Sequence, residues 1–106
     1  MELNITEIPE KWVIIQFPNN IFKVFASWSG GYLDGSRWKL NSGIVVDEIS
    51  TDEEFYYFVG FSGSVYKCHK KAYGVADSFS KGILTDIVAK TGGKVLDELE
   101  WYRMGP

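Results

Sequence analysis

Cys68 and His69 stand side by side in the run FYYFVGFSGSVYKCHKKAY (55–73), and they are the chain's single cysteine and single histidine. A thiol activated by an imidazole is a nucleophile–base pair, and that is the first chemistry the residues offer. Strand geometry opposes it. Residues 55–61 and 64–69 read as the two arms of a hairpin around Ser62 and Gly63, and neighbours on a strand point to opposite faces. Cys68 is therefore expected as a small buried apolar residue and His69 as a surface one. Structural zinc takes four Cys or His ligands and catalytic zinc three protein ligands, so one of each points to no metal site. No cofactor is expected.

Carboxylates come next. Asp47 and Glu48 with Asp52, Glu53 and Glu54 form one acidic group, and Asp97, Glu98 and Glu100 another. Paired carboxylates perform acid–base chemistry and cleave glycosidic bonds, which would make the chain a small enzyme. The same residues also suit a solvated hairpin tip and the outer face of a strand, where charge discourages edge-to-edge association. Opposite in sign is the short basic run Lys67, His69, Lys70 and Lys71, with Tyr66 or Tyr73 available to stack on a base. A net charge of −3 disfavours nucleic acid as the partner, and a polar strand end is the plainer reading. Gly30, Gly31 and Gly35 lack the Lys and Ser/Thr of a phosphate loop and read as turn formers.

The aromatics are the anomaly. Four Trp, six Tyr and seven Phe are more than a small sheet under one helix is expected to hide. Trp28, Tyr32 and Trp38 bracket the glycine-rich stretch 29–36, while Tyr56, Phe58 and Tyr66 alternate along the hairpin with Tyr57 beside them. These seven form the candidate ligand or partner surface, since an exposed apolar patch marks an interface. A two-fold homodimer with Trp38 or Tyr57 near its centre is the expected arrangement.

The elements that must position these residues follow from periodicity. Residues 11–17 (KWVIIQF) read as a strand with apolar residues on both faces, hence a central one, and 21–28 (IFKVFASW) as its antiparallel partner across the turn Pro18-Asn19-Asn20. Residues 37–40 and 43–49 are further strands separated by Asn41, Ser42 and Gly43. Ile5 and Ile8 in the lead-in are expected to tuck against the body. Phe79, Ile83, Leu84, Ile87 and Val88 then make the stripe of an amphipathic helix, with Asp77 or Ser78 as cap and Gly92-Gly93 as stop. Residues 94–104 read as a closing strand with Val95, Leu99 and Trp101 inward, or as a short helix.

The fold class expected is α+β: one antiparallel meander sheet of five to seven strands, with the long helix packed on one face, all in a single domain over 1–106. The start, MELNITEIPEK, carries acidic residues and no apolar run, and no stretch approaches the roughly 18 apolar residues of a membrane span. With a lone cysteine that cannot form an internal disulfide, the expected compartment is the cytoplasm, away from membranes.

Residues 38–44 (WKLNSGI) and 60–74 (GFSGSVYKCHKKAYG) resemble a set of small uncharacterised bacterial proteins encoded on integron gene cassettes. The resemblance covers the middle third of the chain and implies a compact cytoplasmic protein with an accessory role that forms a dimer. It implies no activity and carries over no site residues. The function expected is a non-enzymatic binding or protein-interaction module that uses an aromatic sheet surface or cleft.

Overall fold

The computed structural model describes residues 4–30 and 37–98. Among these residues seven strands and one α-helix follow one another as β1 (Lys11–Gln16), β2 (Phe22–Trp28), β3 (Arg37–Leu40), β4 (Ser50–Thr51), β5 (Phe55–Val59), β6 (Val65–His69), α1 (Ser78–Thr91) and β7 (Lys94–Val95). They make two antiparallel sheets and not one. The larger has the order β3-β2-β1-β7, the smaller β4-β5-β6.

The residues of β1 explain the layering. Trp12 and Ile14 point to one side, where they pack with Val24 and Ala26 of β2 and with Phe58, Tyr66 and Cys68 of the smaller sheet. Val13 and Ile15 point to the other side and meet Phe25 and Leu84, with Ile83, Ile87 and Val88 of α1 around them. The protein is thus three layers: helix, four-stranded sheet, three-stranded sheet. Both faces of β1 are apolar because each is buried under a different layer.

The division into two sheets occurs at residues 44 and 45. The Ile44 amide donates to the Phe22 carbonyl of the larger sheet at 2.7 Å, and the next amide, of Val45, donates to Val59 of the smaller sheet at 2.9 Å. A continuous strand cannot serve both, so 43–49, expected as a strand, becomes a bridge at Ile44 and a 3₁₀ turn at Val46–Glu48, followed by the two-residue β4. Gly43, with φ at +132°, permits the swerve.

Each sheet also has an edge closed by chain belonging to the other. Residues that precede β1 run parallel to β6: the Thr6 amide donates to Val65 at 2.8 Å and the Lys67 amide to Glu7 at 2.9 Å. Residues that follow β6 run parallel to β1: Gly74 donates to Trp12 at 2.9 Å. Between that bridge and β7, the Tyr73 hydroxyl accepts from the Ile14 amide at 3.0 Å and donates to the Leu96 carbonyl at 2.6 Å. The lead-in therefore serves through its backbone, and Ile5 and Ile8 are exposed where they were expected to tuck in.

The helix has its Asp77 cap, whose carboxylate accepts from the Ser80 amide at 2.8 Å, and ends at Gly92 in the left-handed region. Leu84 is buried and Ile83, Ile87 and Val88 pack beneath it, but Phe79, the first residue of the stripe, is 56% exposed. At the chain's end the strand is two residues long. Leu96 is the buried side chain and Val95 is exposed, the reverse of the expected parity; Leu99 and Trp101 lie outside the described residues.

Candidate functional site

Cys68 and His69 diverge as strand geometry requires. The Cys68 thiol is in the core between the sheets, and burial raises its pKa well above the ordinary thiol value, which keeps it protonated. His69 turns outward, its ring edge against Phe55 at 5.0 Å and its Nδ1 accepting from the Lys71 amide at 3.0 Å. Its backbone carbonyl receives the Trp12 indole N–H at 2.8 Å. These residues shape the end of β6 and do not form a dyad.

The seven candidate aromatics do not share one surface. Phe58 and Tyr66 are core residues, and Tyr56 packs with them against Trp12, ring centroids 6.0 Å apart. Trp28 lies under the Arg37 guanidinium at 4.2 Å and donates to the Ile8 carbonyl. Trp38, 38% exposed, stacks on Phe25 at the outer edge of the larger sheet, centroids 5.7 Å apart and planes 15° from parallel. Tyr32 lies outside the described residues. Of the six described, Tyr57 alone faces outward from the smaller sheet.

Around Tyr57 a compact group is assembled. Residues of β5 alternate, so Phe55, Tyr57 and Val59 occupy the face opposite Tyr56 and Phe58, paired across the ladder with His69, Lys67 and Val65. The Lys67 ammonium sits over the Phe55 ring at 4.4 Å and 6.0 Å from the Tyr57 ring. The Tyr57 hydroxyl donates to Asp52 at 2.6 Å, and the other Asp52 oxygen accepts from the Glu54 and Phe55 amides at 2.9 and 2.8 Å. With Tyr57 the largest contributor, these donors hold the Asp52 carboxyl below its ordinary pKa, and the same bond holds the Tyr57 phenol above its own. A carboxyl so held stays ionised, the opposite of what a general acid needs. A shallow depression of about 380 Å³ lies beside the group, lined by Asp52, Glu53, Glu54, Phe55 and Lys67.

Tyr66 and Tyr73 were the residues available to stack on a base. Tyr66 is buried, and the Tyr73 hydroxyl is bonded on both sides within the fold. Phe55 was passed over in the sequence, although its alternation with Tyr57 opposite the core-facing pair was the signal.

A second concavity lies at the far end of the molecule, where the β1–β2 turn meets the end of α1. It is a groove of about 370 Å³ lined by Phe17, Pro18, Asn19, Ile21, Lys23, Ser42 and Thr91. In the sequence Pro18-Asn19-Asn20 is a turn signal and carries no motif of a site. The turn is fixed by Asn20 at φ +67° and by Asn19, whose carboxamide oxygen accepts from the Ile21 amide at 3.2 Å. The Lys23 ammonium stands 5.2 Å from the centre of the Phe17 ring.

Behind Ser42 the two segments 38–44 and 60–74 join. Ser42 Oγ accepts from the Ser62 amide at 2.9 Å and donates to Ser62 Oγ at 3.1 Å, and the Phe61 amide donates to Gly43 at 2.8 Å. A Cβ on Gly43 would lie 2.4 Å from the Phe61 ring, so glycine is required there twice over, by contact and by φ. The motif glycines and serines are a joint between the sheets. Among the described residues no three His, Cys, Asp or Glu side chains group to hold a metal ion, and no helix is long and apolar enough to cross a membrane. No protein-family model, curated protein or solved structure matches the chain.

Proposed function

We propose that this protein is a non-enzymatic binding module of the bacterial cytoplasm, with an accessory role, and that its contact surface is the outer face of β4–β5–β6. One observation carries the reading. Phe55, Tyr57 and Val59 share the outer face of the smaller sheet and belong to neither hydrophobic cluster. The second face of the larger sheet is already occupied by the smaller one, so the smaller sheet's outer face is where cover is needed.

The partner we propose is a second copy related by a two-fold axis, with Tyr57 central. The charges favour a protein over nucleic acid. Asp52, Glu53 and Glu54 stand at the same end of the hairpin as Lys70, whose amide bonds to the Glu54 carbonyl and whose ammonium bonds to the Asp52 carbonyl. That mixture cancels the field a phosphate chain would follow. Light scattering from low to high micromolar concentration tests the reading: the mass is expected to reach twice 12.0 kDa, and Phe55→Ser with Tyr57→Ser to abolish the rise. A mass of 12.0 kDa throughout overturns self-association. Salt-sensitive binding of a labelled single-stranded oligonucleotide, lost in Lys67→Ala, would replace the protein partner by nucleic acid.

A further inference from the structure

The groove at the β1–β2 turn is built differently from the face just described. Its lining has one cation, Lys23, and no carboxylate, in a chain whose net charge is −3. Among the described residues Lys23 has no ion-pair partner, and its ammonium lies over the Phe17 ring. Lys39 and Lys90, by contrast, are matched to the carboxylates of Glu7 and Asp86.

The remaining polar groups sort by what they have left to offer. Thr91 is committed, its hydroxyl donating to Ile87 at 2.7 Å and accepting from the Gly93 amide at 3.2 Å. Ser42 is committed to Ser62. Asn19, which lines the groove, accepts from the Ile21 amide through its carboxamide oxygen, and its NH₂ keeps its donor capacity. Open capacity is thus donor capacity: an ammonium and an amide, above an apolar floor of Phe17, Pro18 and Ile21. The carbonyls at the end of α1, which would repel an anion, are partly answered: Thr91 covers Ile87, and the Gly92 amide covers Val88 at 3.0 Å. A volume of about 370 Å³ falls at the lower end of the range for small-molecule sites.

We infer that this groove binds a small organic monoanion, a carboxylate on an aromatic or short aliphatic body, with the carboxylate on Lys23 and Asn19 and the body on Phe17, Pro18 and Ile21. Charge complementarity selects the class, and the apolar floor separates it from inorganic phosphate. The site is independent of the outer sheet face, so the failure of either leaves the other standing.

The test is a ¹H–¹⁵N chemical-shift titration of the full chain with benzoate, hexanoate, benzyl alcohol, benzylammonium and inorganic phosphate. Benzoate or hexanoate is expected to shift the amides of Ile21, Lys23 and Thr91 along saturable curves. Benzyl alcohol and phosphate should bind at least five-fold more weakly, and benzylammonium not at all. Lys23→Met, which keeps the stem and removes the charge, should weaken benzoate at least five-fold. If that variant does not fold, the comparison of benzoate with benzyl alcohol on the native chain stands as the test. Equal binding of the two, phosphate matching benzoate, an unaffected Lys23→Met, or shifts mapping elsewhere would each overturn the inference.

Discussion

Replacing Tyr73 with phenylalanine removes one oxygen atom and nothing else, and the structure allows its cost to be worked out. The hydroxyl takes the Ile14 amide at 3.0 Å and gives its proton to the Leu96 carbonyl at 2.6 Å. Ile14 is fully buried, and its carbonyl is already paired with the Leu96 amide at 2.9 Å. In Tyr73→Phe the Ile14 N–H is left in the interior without an acceptor. An orphaned buried donor costs about 1–3 kcal/mol, while the ring keeps its packing against Trp12 at 4.8 Å. The expected loss is about 2 kcal/mol. In urea, with a slope of about 2 kcal/mol per molar for a chain of this size, the midpoint should fall by about 1 M with the slope unchanged. Hydrogen exchange supplies the local check, because the Ile14 amide should lose protection relative to Val13 and Val24. A loss below about 0.5 kcal/mol would refute the reasoning and would mean that the space admits water to the Ile14 N–H.

Three further outcomes are expected. Leu84→Ala should cost about 2–5 kcal/mol because Leu84 is buried between helix and sheet, whereas Phe79→Ala, on a half-exposed ring, should cost far less; equal losses by denaturant unfolding would mean the helix face is assigned wrongly. Alkylation of Cys68 at neutral pH should proceed only as the protein opens, since burial keeps the thiol both covered and protonated, and labelling at the rate of a free thiol would contradict its place in the core. Asp52 titrates lower folded than unfolded, so its contribution to stability is present above the unfolded pKa and is lost as pH falls through the folded one. In Tyr57→Phe the Asp52 midpoint, followed by NMR, should rise toward the ordinary carboxylate value, and no change would mean the backbone donors alone hold it.

How much of this was legible in the sequence depended on whether the cause was local. The divergence of Cys68 and His69, a cap at Asp77 or Ser78 and a stop at Gly92-Gly93 follow from neighbouring residues and were readable; the structure takes Asp77 and Gly92. The two apolar faces of Trp12–Ile14 and Val13–Ile15 correctly marked β1 as central, but periodicity cannot say whether the second cover is a helix or another sheet. That distinction is made by two consecutive amides, Ile44 and Val45, choosing acceptors in different sheets, which no propensity records. The same error inflated the count of surplus aromatics, since a second sheet buries Phe58 and Tyr66 against Trp12. The groove was invisible for a related reason: Phe17, Lys23, Ser42 and Thr91 come together only when the helix ends beside the first turn.

The exchange of edges between the sheets bears on how the protein comes apart. Thr6 and Glu7 complete the smaller sheet yet lead directly into β1, and Tyr73 and Gly74 complete the larger sheet yet trail directly from β6. Peeling either sheet from the body drags away backbone partners of the other, so no half of the molecule can open and leave its neighbour intact. Unfolding should therefore register as a single transition, with tryptophan fluorescence and far-UV circular dichroism superimposing, and the slowest-exchanging amides of β1 and β6 should report one common opening free energy.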